Sequence, residues 1–198
     1  MSDGFIIKRG GGSGDSNAAF KARVDGSLTE VTADMLYGVR TIAAYGLAFC
    51  EDLTSVTIPN GLTNIGQHAF EGCRRLTSIT IPDSVTSIDN SAFEVCVNLT
   101  SITIPNRVTS IRSSVFSQCS SLTSITIPSN VTSIEEHAFY SCSGLTSIEI
   151  PKKVTSIGDT AFNKCSGLTS ITIKATTPPT LGWSPFVNTP PSLVIYVP

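Results

Sequence analysis

The chain has 198 residues, of which 40% are apolar and only 14% charged, with a formal net charge of −2. That length supports one domain with a sizeable core, and the near-neutral balance gives no electrostatic footprint for nucleic acid or an anionic membrane. The longest apolar runs are a few residues, so no membrane span is expected, and Ser and Thr hydroxyls must supply most of the polar surface.

Residues 1–19 are rich in Gly and Ser (Gly10 to Gly14 above all) and read as a flexible tail. Phe5-Ile6-Ile7 is too short for the apolar segment of a secretory signal, so none is expected there. Residues 20–52 read as an N-terminal cap. They contain a degenerate copy, Leu28–Asp52, two residues longer than the copies that follow, with Leu47 where those have Phe. Glu30 and Asp34 suit an exposed end, because the terminal unit of a repeat array has one unstacked face.

Residues 53–167 are five consecutive 23-residue repeats without insertion or deletion, beginning at Leu53, Leu76, Leu99, Leu122 and Leu145. Each follows L-T-S-(I/V)-(T/E)-I-P-x-x-(V/L)-T-(S/N)-I-x-x-x-(A/V)-F-x-x-C-x-x. The Ser-Ile-Thr-Ile segment alternates as a half-buried strand does. In the second repeat Ile79 and Ile81 point inward and Ser78 and Thr80 outward, until Pro82 ends the ladder. Val85 and Ile88 then lead the chain back across the core. Ala92, Phe93 and Cys96 fall on one face of a single helical turn, with Asp89-Asn90-Ser91 placed to cap it.

Residues 168–198 read as a last strand and C-terminal cap, with Trp183 and Phe186 as apolar plugs over the final rung and Leu193–Val197 as a closing strand. One repeat cannot bury its own apolar set, but stacked repeats can. The expected fold is therefore a leucine-rich-repeat solenoid: a curved right-handed stack with a parallel β-sheet on its concave face and short helical turns on its convex face.

The L-x-x-I-x-I and A-F-x-x-C columns, in register over roughly residues 28–173, closely resemble the BspA-like, or treponemal, type of leucine-rich repeat. Ala175–Pro198, with its Thr-Thr-Pro-Pro-Thr and Leu-Val-Ile-Tyr-Val-Pro, is similar to the usual end of such arrays. The resemblance implies a surface-exposed or secreted bacterial protein that adheres to or recognises a protein or glycan partner. It supplies no catalytic residues. The lack of a signal leaves a cytoplasmic or virion-associated location as the alternative, and with it a rigid spacer in a larger assembly.

Little in the chain suggests chemistry of its own. Cys50, Cys73, Cys96, Cys119, Cys142 and Cys165 recur once per repeat with parallel side-chain vectors, which reads as a column of buried free thiols and not as disulfides. His68 and His137 share a column three repeats apart, about 14 Å at ~4.8 Å per rung, too far to share one ion, and both read as exposed polar residues. The carboxylates are scattered, with no pair placed for general acid–base work. The chain is read as a non-enzyme with no cofactor and no metal. Its largest regular surface is the outward hydroxyl ladder of the strand face. Ser78, Thr80, Ser101, Thr103, Ser124, Thr126, Ser147 and Glu149 are the expected partner-binding residues there. Loop residues such as Arg112, Glu136, Tyr140 and Lys152 form the competing site.

Overall fold

A computed structural model describes residues 19–20 and 28–198. The expectation of a flexible tail falls on residues 1–18 and lies outside the described residues, apart from Ala19. Fifteen short strands follow in chain order: β1 (Ala19–Phe20), β2 (Glu30–Val31), β3 (Thr41–Ile42), β4 (Ser55–Val56), β5 (Asn64–Ile65), β6 (Ser78–Thr80), β7 (Ser87–Ile88), β8 (Ser101–Thr103), β9 (Ser110–Ile111), β10 (Ser133–Ile134), β11 (Ser147–Ile150), β12 (Ser156–Ile157), β13 (Ser170–Ile173), β14 (Thr180–Leu181) and β15 (Val194–Tyr196). All pairings are parallel and link equivalent positions of neighbouring repeats, such as Ser78 with Ser101 and Ser147 with Ser170. The molecule is a parallel β-solenoid of about seven turns.

Each rung has three segments, and the sequence dictates each. The Ser-Ile-Thr segment forms the strand face, with the burial pattern exposed–buried–exposed in β6 and β8. A Pro-x-x-Val turn follows, closed by hydrogen bonds such as Val85 N to Pro82 O at 3.0 Å and Val154 N to Pro151 O at 3.0 Å. The Thr-Ser-Ile segment then forms a second parallel ladder, β1-β3-β5-β7 and β9-β10-β12-β14. The sequence reading missed this ladder.

The third segment is not helical: no residue among those described is in a helix. Its N–H groups alternate in destination. In the rung of Phe70, Ala69 N and Glu71 N bond three residues back, to Gly66 O and His68 O. His68 N, Phe70 N and Gly72 N instead cross to Asn90, Ala92 and Glu94 of the next rung. That alternation needs two left-handed residues per rung, and they recur as columns. One holds Tyr45, His68, Ser91, Ser114, His137 and Thr160, and the other Phe49, Gly72, Val95, Gln118, Ser141 and Lys164, all with positive φ. Asp89-Asn90-Ser91 therefore caps no helix. Asp89 accepts from Ser87 Oγ at 2.8 Å, and Ser91 is itself left-handed.

The core is one continuous cluster of columns. Phe70, Phe93, Phe116, Phe139, Phe162 and Phe186 stack ring on ring at 5.1–5.9 Å. Phe186 plugs the last rung as expected, but Trp183 does not: it is 74% exposed. It occupies the outward column of Asp159, whose carboxylate accepts from the Trp183 N–H at 2.6 Å. The six cysteines are free and buried. Five of them donate S–H to a main-chain carbonyl of the preceding rung, as Cys96 does to Phe70 O at 3.1 Å and Cys119 to Phe93 O at 3.2 Å. Burial pushes Cys96 and Cys165 up to about 12, so these thiols stay protonated and unreactive.

The stack is not uniform. The second ladder breaks between β7 and β9. There Val115 stands in a column that is otherwise Ala69, Ala92, Ala138 and Ala161, and the Phe93–Phe116 spacing is the widest in the aromatic column at 5.9 Å.

Candidate functional site

The strand face presents the residues that the sequence singled out. Ser78, Thr80, Ser101, Thr103, Ser124, Thr126, Ser147 and Glu149 are all exposed. Ser78 and Thr80 pair in register with Ser101 and Thr103, and Ser147 and Glu149 with Ser170 and Thr172. Ser124 and Thr126 are held less firmly, with a single bridge from Thr103 to Thr126. The flanking contacts, Thr123 N to Thr100 O and Thr146 N to Thr123 O, stretch to 3.4 Å where equivalent bonds measure 2.9 Å. Toward the Pro turn, Thr57, Asn60, Thr80, Pro82 and Asp83 line an open depression beside this face.

Several hydroxyls elsewhere on the rung are committed. In three rungs the threonine before the strand-face serine bonds to the preceding rung: Thr54 Oγ1 to Thr29 O at 2.9 Å, Thr100 Oγ1 to Thr77 O at 3.1 Å and Thr169 Oγ1 to Thr146 O at 3.1 Å. The second ladder repeats the device with Thr132 Oγ1 to Thr109 O and Thr155 Oγ1 to Thr132 O, both at 3.2 Å. Among the described residues the strand-face serines and threonines make no such side-chain bond. Glu149 alone is engaged, by Lys174 at 3.2 Å on an exposed surface.

The competing loop residues are more occupied. Arg112 reaches Asp89 at 3.6 Å, and Lys153 donates to Asn130 at 2.7 Å. Glu135 accepts from Ser110 Oγ at 2.7 Å and from the Ser113 N–H at 3.1 Å. Lys164 donates to the Tyr140 hydroxyl at 2.5 Å, and this hydrogen bond holds the phenol below its usual range.

Neither histidine is simply a solvated side chain. His137 lies edge-on to Tyr140 at 5.5 Å. The side chain of His68 is only 19% exposed, stacked on Tyr45 at 4.5 Å and 2.8 Å from Glu71. The expectation of an exposed His68 is thus corrected. Tyr45 fills the same left-handed column one rung earlier, so the two rings lie face to face. Among the described residues no nucleophile stands beside a base in a cleft, and no helix is long and apolar enough to cross a membrane.

The repeats match the family described as BspA type Leucine rich repeat region, in six copies across residues 40–169 and 86–194. Among solved structures, the chain is similar to a leucine rich cell surface protein of Faecalibacterium prausnitzii, with 38% identity and a TM-score of 0.72 over 82% of this chain and 44% of that one. It is similar to a leucine-rich repeat protein of Bacteroides ovatus, with 27% identity and a TM-score of 0.64 over 81% of this chain and 53% of that one. It is also similar to the leucine rich repeat protein of T. pallidum, with 28% identity and a TM-score of 0.71 over 90% of this chain and 81% of that one. The chain thus spans about half the length of the first two. No curated protein matches it. Six copies of one repeat in unbroken register, covering most of the chain, place it in the BspA-type leucine-rich repeat family.

Proposed function

We propose that this chain is a non-enzymatic recognition module that binds a protein partner on its strand face, at a cell surface. One observation carries the reading: the hydroxyls of that face are exposed, in register and uncommitted in every rung, while many of those in the flanking columns are spent on the main chain. Small contacts then repeat once per rung on a rigid surface that loses little entropy on binding. The face has few charges, so attraction should vary little with salt. Its one aromatic among the described residues is the exposed Tyr196 of β15, in register with Thr172 at the C-terminal end, so each contact along the hydroxyl ladder is weak and affinity comes from engaging several rungs together. The cell-surface name of the Faecalibacterium prausnitzii relative supports the location.

The test is a binding screen of the immobilised chain against arrays of surface and matrix proteins, with glycan arrays alongside. Thr80→Arg with Thr103→Arg should abolish any protein binding while leaving the melting temperature within a few degrees. Binding that survives this pair but fails on Tyr140→Ala with Lys152→Ala would move the site to the loops. Signals on glycans alone would replace the partner class.

A further inference from the structure

We propose that His68, Glu71 and Glu94 form a zinc-type divalent cation site that clips the rung Leu53–Arg75 to the rung Leu76–Asn98. One donor atom from each of the three side chains lies within 4.8 Å of the other two. Glu71 and Glu94 occupy the same column in consecutive rungs, so their carboxylates are stacked like charges. The main chain enforces this, with Gly72 N donating to Glu94 O at 2.8 Å. Elsewhere the column holds Ala48, Ser117, Tyr140 and Asn163, so the acid pair occurs once. Among the described residues no Lys or Arg forms an ion pair with either carboxylate, although Glu51, Asp52, Asp89 and Glu149 each have such a partner.

What faces the acid pair is an imidazole. His68 Nδ1 lies 2.8 Å from Glu71 Oε2, yet it is sealed from solvent and makes no aligned hydrogen bond. Its proximity is therefore that of a ligand atom beside another ligand atom as much as that of a donor. The ring is fixed by Tyr45, stacked at 4.5 Å and 8° from parallel. Its other nitrogen, Nε2, meets the Gln67 side-chain amide at 3.2 Å. Turning that amide over presents its oxygen to an Nε2–H, which is the outer hydrogen bond that metal-bound histidines carry.

One imidazole and two carboxylates, with the side chains of His68 and Glu71 each 19% exposed, leave a fourth position open to water. That donor set suits zinc, cobalt or nickel. Magnesium and calcium ask for oxygen alone. Small side-chain rotations bring the three atoms to bond lengths of about 2.0–2.2 Å. His137, in the same left-handed column, lacks both carboxylates because Tyr140 and Asn163 stand where Glu71 and Glu94 do, and so it serves as the internal control.

The experiment uses the full chain, stripped with chelator and titrated with zinc by calorimetry, then with cobalt by absorption. Expected are one ion per chain, a rise in melting temperature with zinc, and cobalt bands without the intense thiolate absorption that any of the six cysteines would add. Glu94→Gln and His68→Gln should each weaken zinc at least tenfold, and His137→Gln should leave it unchanged. Glu94→Gln should also raise the melting temperature of the metal-free protein, because it removes the like-charge stack. Glu71→Gln provides a second route should either variant fold poorly. The proposal is overturned by the absence of saturable zinc binding, by a thiolate spectrum, by equal affinity for magnesium, or by ligand variants that bind like the wild type.

Discussion

Gln118 offers a clean measure of what the left-handed columns cost. Its φ is 61°, its side chain is exposed, and its N–H crosses to Tyr140 O at 2.7 Å. A left-handed conformation costs an ordinary L-residue about 1–2 kcal/mol. Glycine does not incur that cost, but its unfolded chain is freer by about 0.5–1 kcal/mol. Exposure means that almost no packing is lost, so Gln118→Gly should stabilise the fold by about 0.5–1 kcal/mol. For a chain of this size that is a rise of about 1–4 °C in melting temperature. Gln118→Ala keeps the Cβ and should give no gain. Gly72, at φ 68° in the same column, is the mirror case: Gly72→Ala should destabilise by about 1–2 kcal/mol. A Cβ there would also come within 2.7 Å of the Phe49 ring. Differential scanning calorimetry of the three variants decides the matter. If Gln118→Gly melts below wild type while Gln118→Ala melts above it, the segment is not held by alternating left-handed residues.

Three further outcomes follow from the same columns. Phe116→Ala should cost about 3–5 kcal/mol, with hydrogen exchange rising first in the rungs of Phe93 and Phe139 that stack on it. An unchanged melting temperature would contradict the aromatic column. Folded thiols raised above their unfolded range contribute stability that is complete below about pH 8.5 and is lost as pH rises toward about 12. Each such thiol should add a slope of about −1.4 kcal/mol per pH unit across that window. Urea unfolding from pH 8 to 11 should show the decline, and a Cys119→Ala, Cys142→Ala variant, which removes two more thiols raised by burial, should make it shallower. Finally, Thr132→Val should cost about 0.5–1 kcal/mol by removing the hydroxyl's bond to Thr109 O, which keeps only the Thr132 N–H, while Thr103→Val on the strand face should be neutral or slightly stabilising. Equal costs would mean that the strand-face hydroxyls are committed as well.

The period and the alternation of Ser78-Ile79-Thr80 made the stack, the strand face and the inward columns legible without coordinates. The turn segment was misread because Ala92, Phe93 and Cys96 do fit one helical face. What decides against a helix is where alternate N–H groups go, and half of them leave the rung for the next one. Side chains such as Val95 and Gln118 carry no left-handed signature, so the sequence conceals that choice. The second ladder left little mark in Val85-Thr86-Ser87-Ile88, because its apolar residues are three apart and show no strand-like alternation. Trp183 was misplaced because apolarity was weighed above column position. The 23-residue period would align it with Thr160, but β14 pairs with β12 one residue out of that period, and this puts Trp183 in the column of Asp159 and Glu136, which faces out. The pairing of Glu71 with Glu94 was visible in the same alignment, but its contact with His68 depends on a left-handed residue that sequence alone does not announce.

Repetition also constrains how such a surface works. Outward side chains recur about 4.8 Å apart along the strand face, so a compact partner touches few rungs and an extended one touches many. No residue among Ser78, Thr80, Ser101 and Thr103 is a large anchor, so on the proposed function selectivity would rest on register and length and not on a single pocket. The loosened rung at Ser124 then matters more than its own contacts suggest. It separates a firmly paired block, Ser78 to Thr103, from another, Ser147 to Thr172. A partner spanning both blocks must also order the rung between them, which costs part of the gain from the added contacts. A partner confined to one block avoids that cost, and on this reading the block from Thr57 to Thr103, with the depression at its edge, is the stronger half of the face.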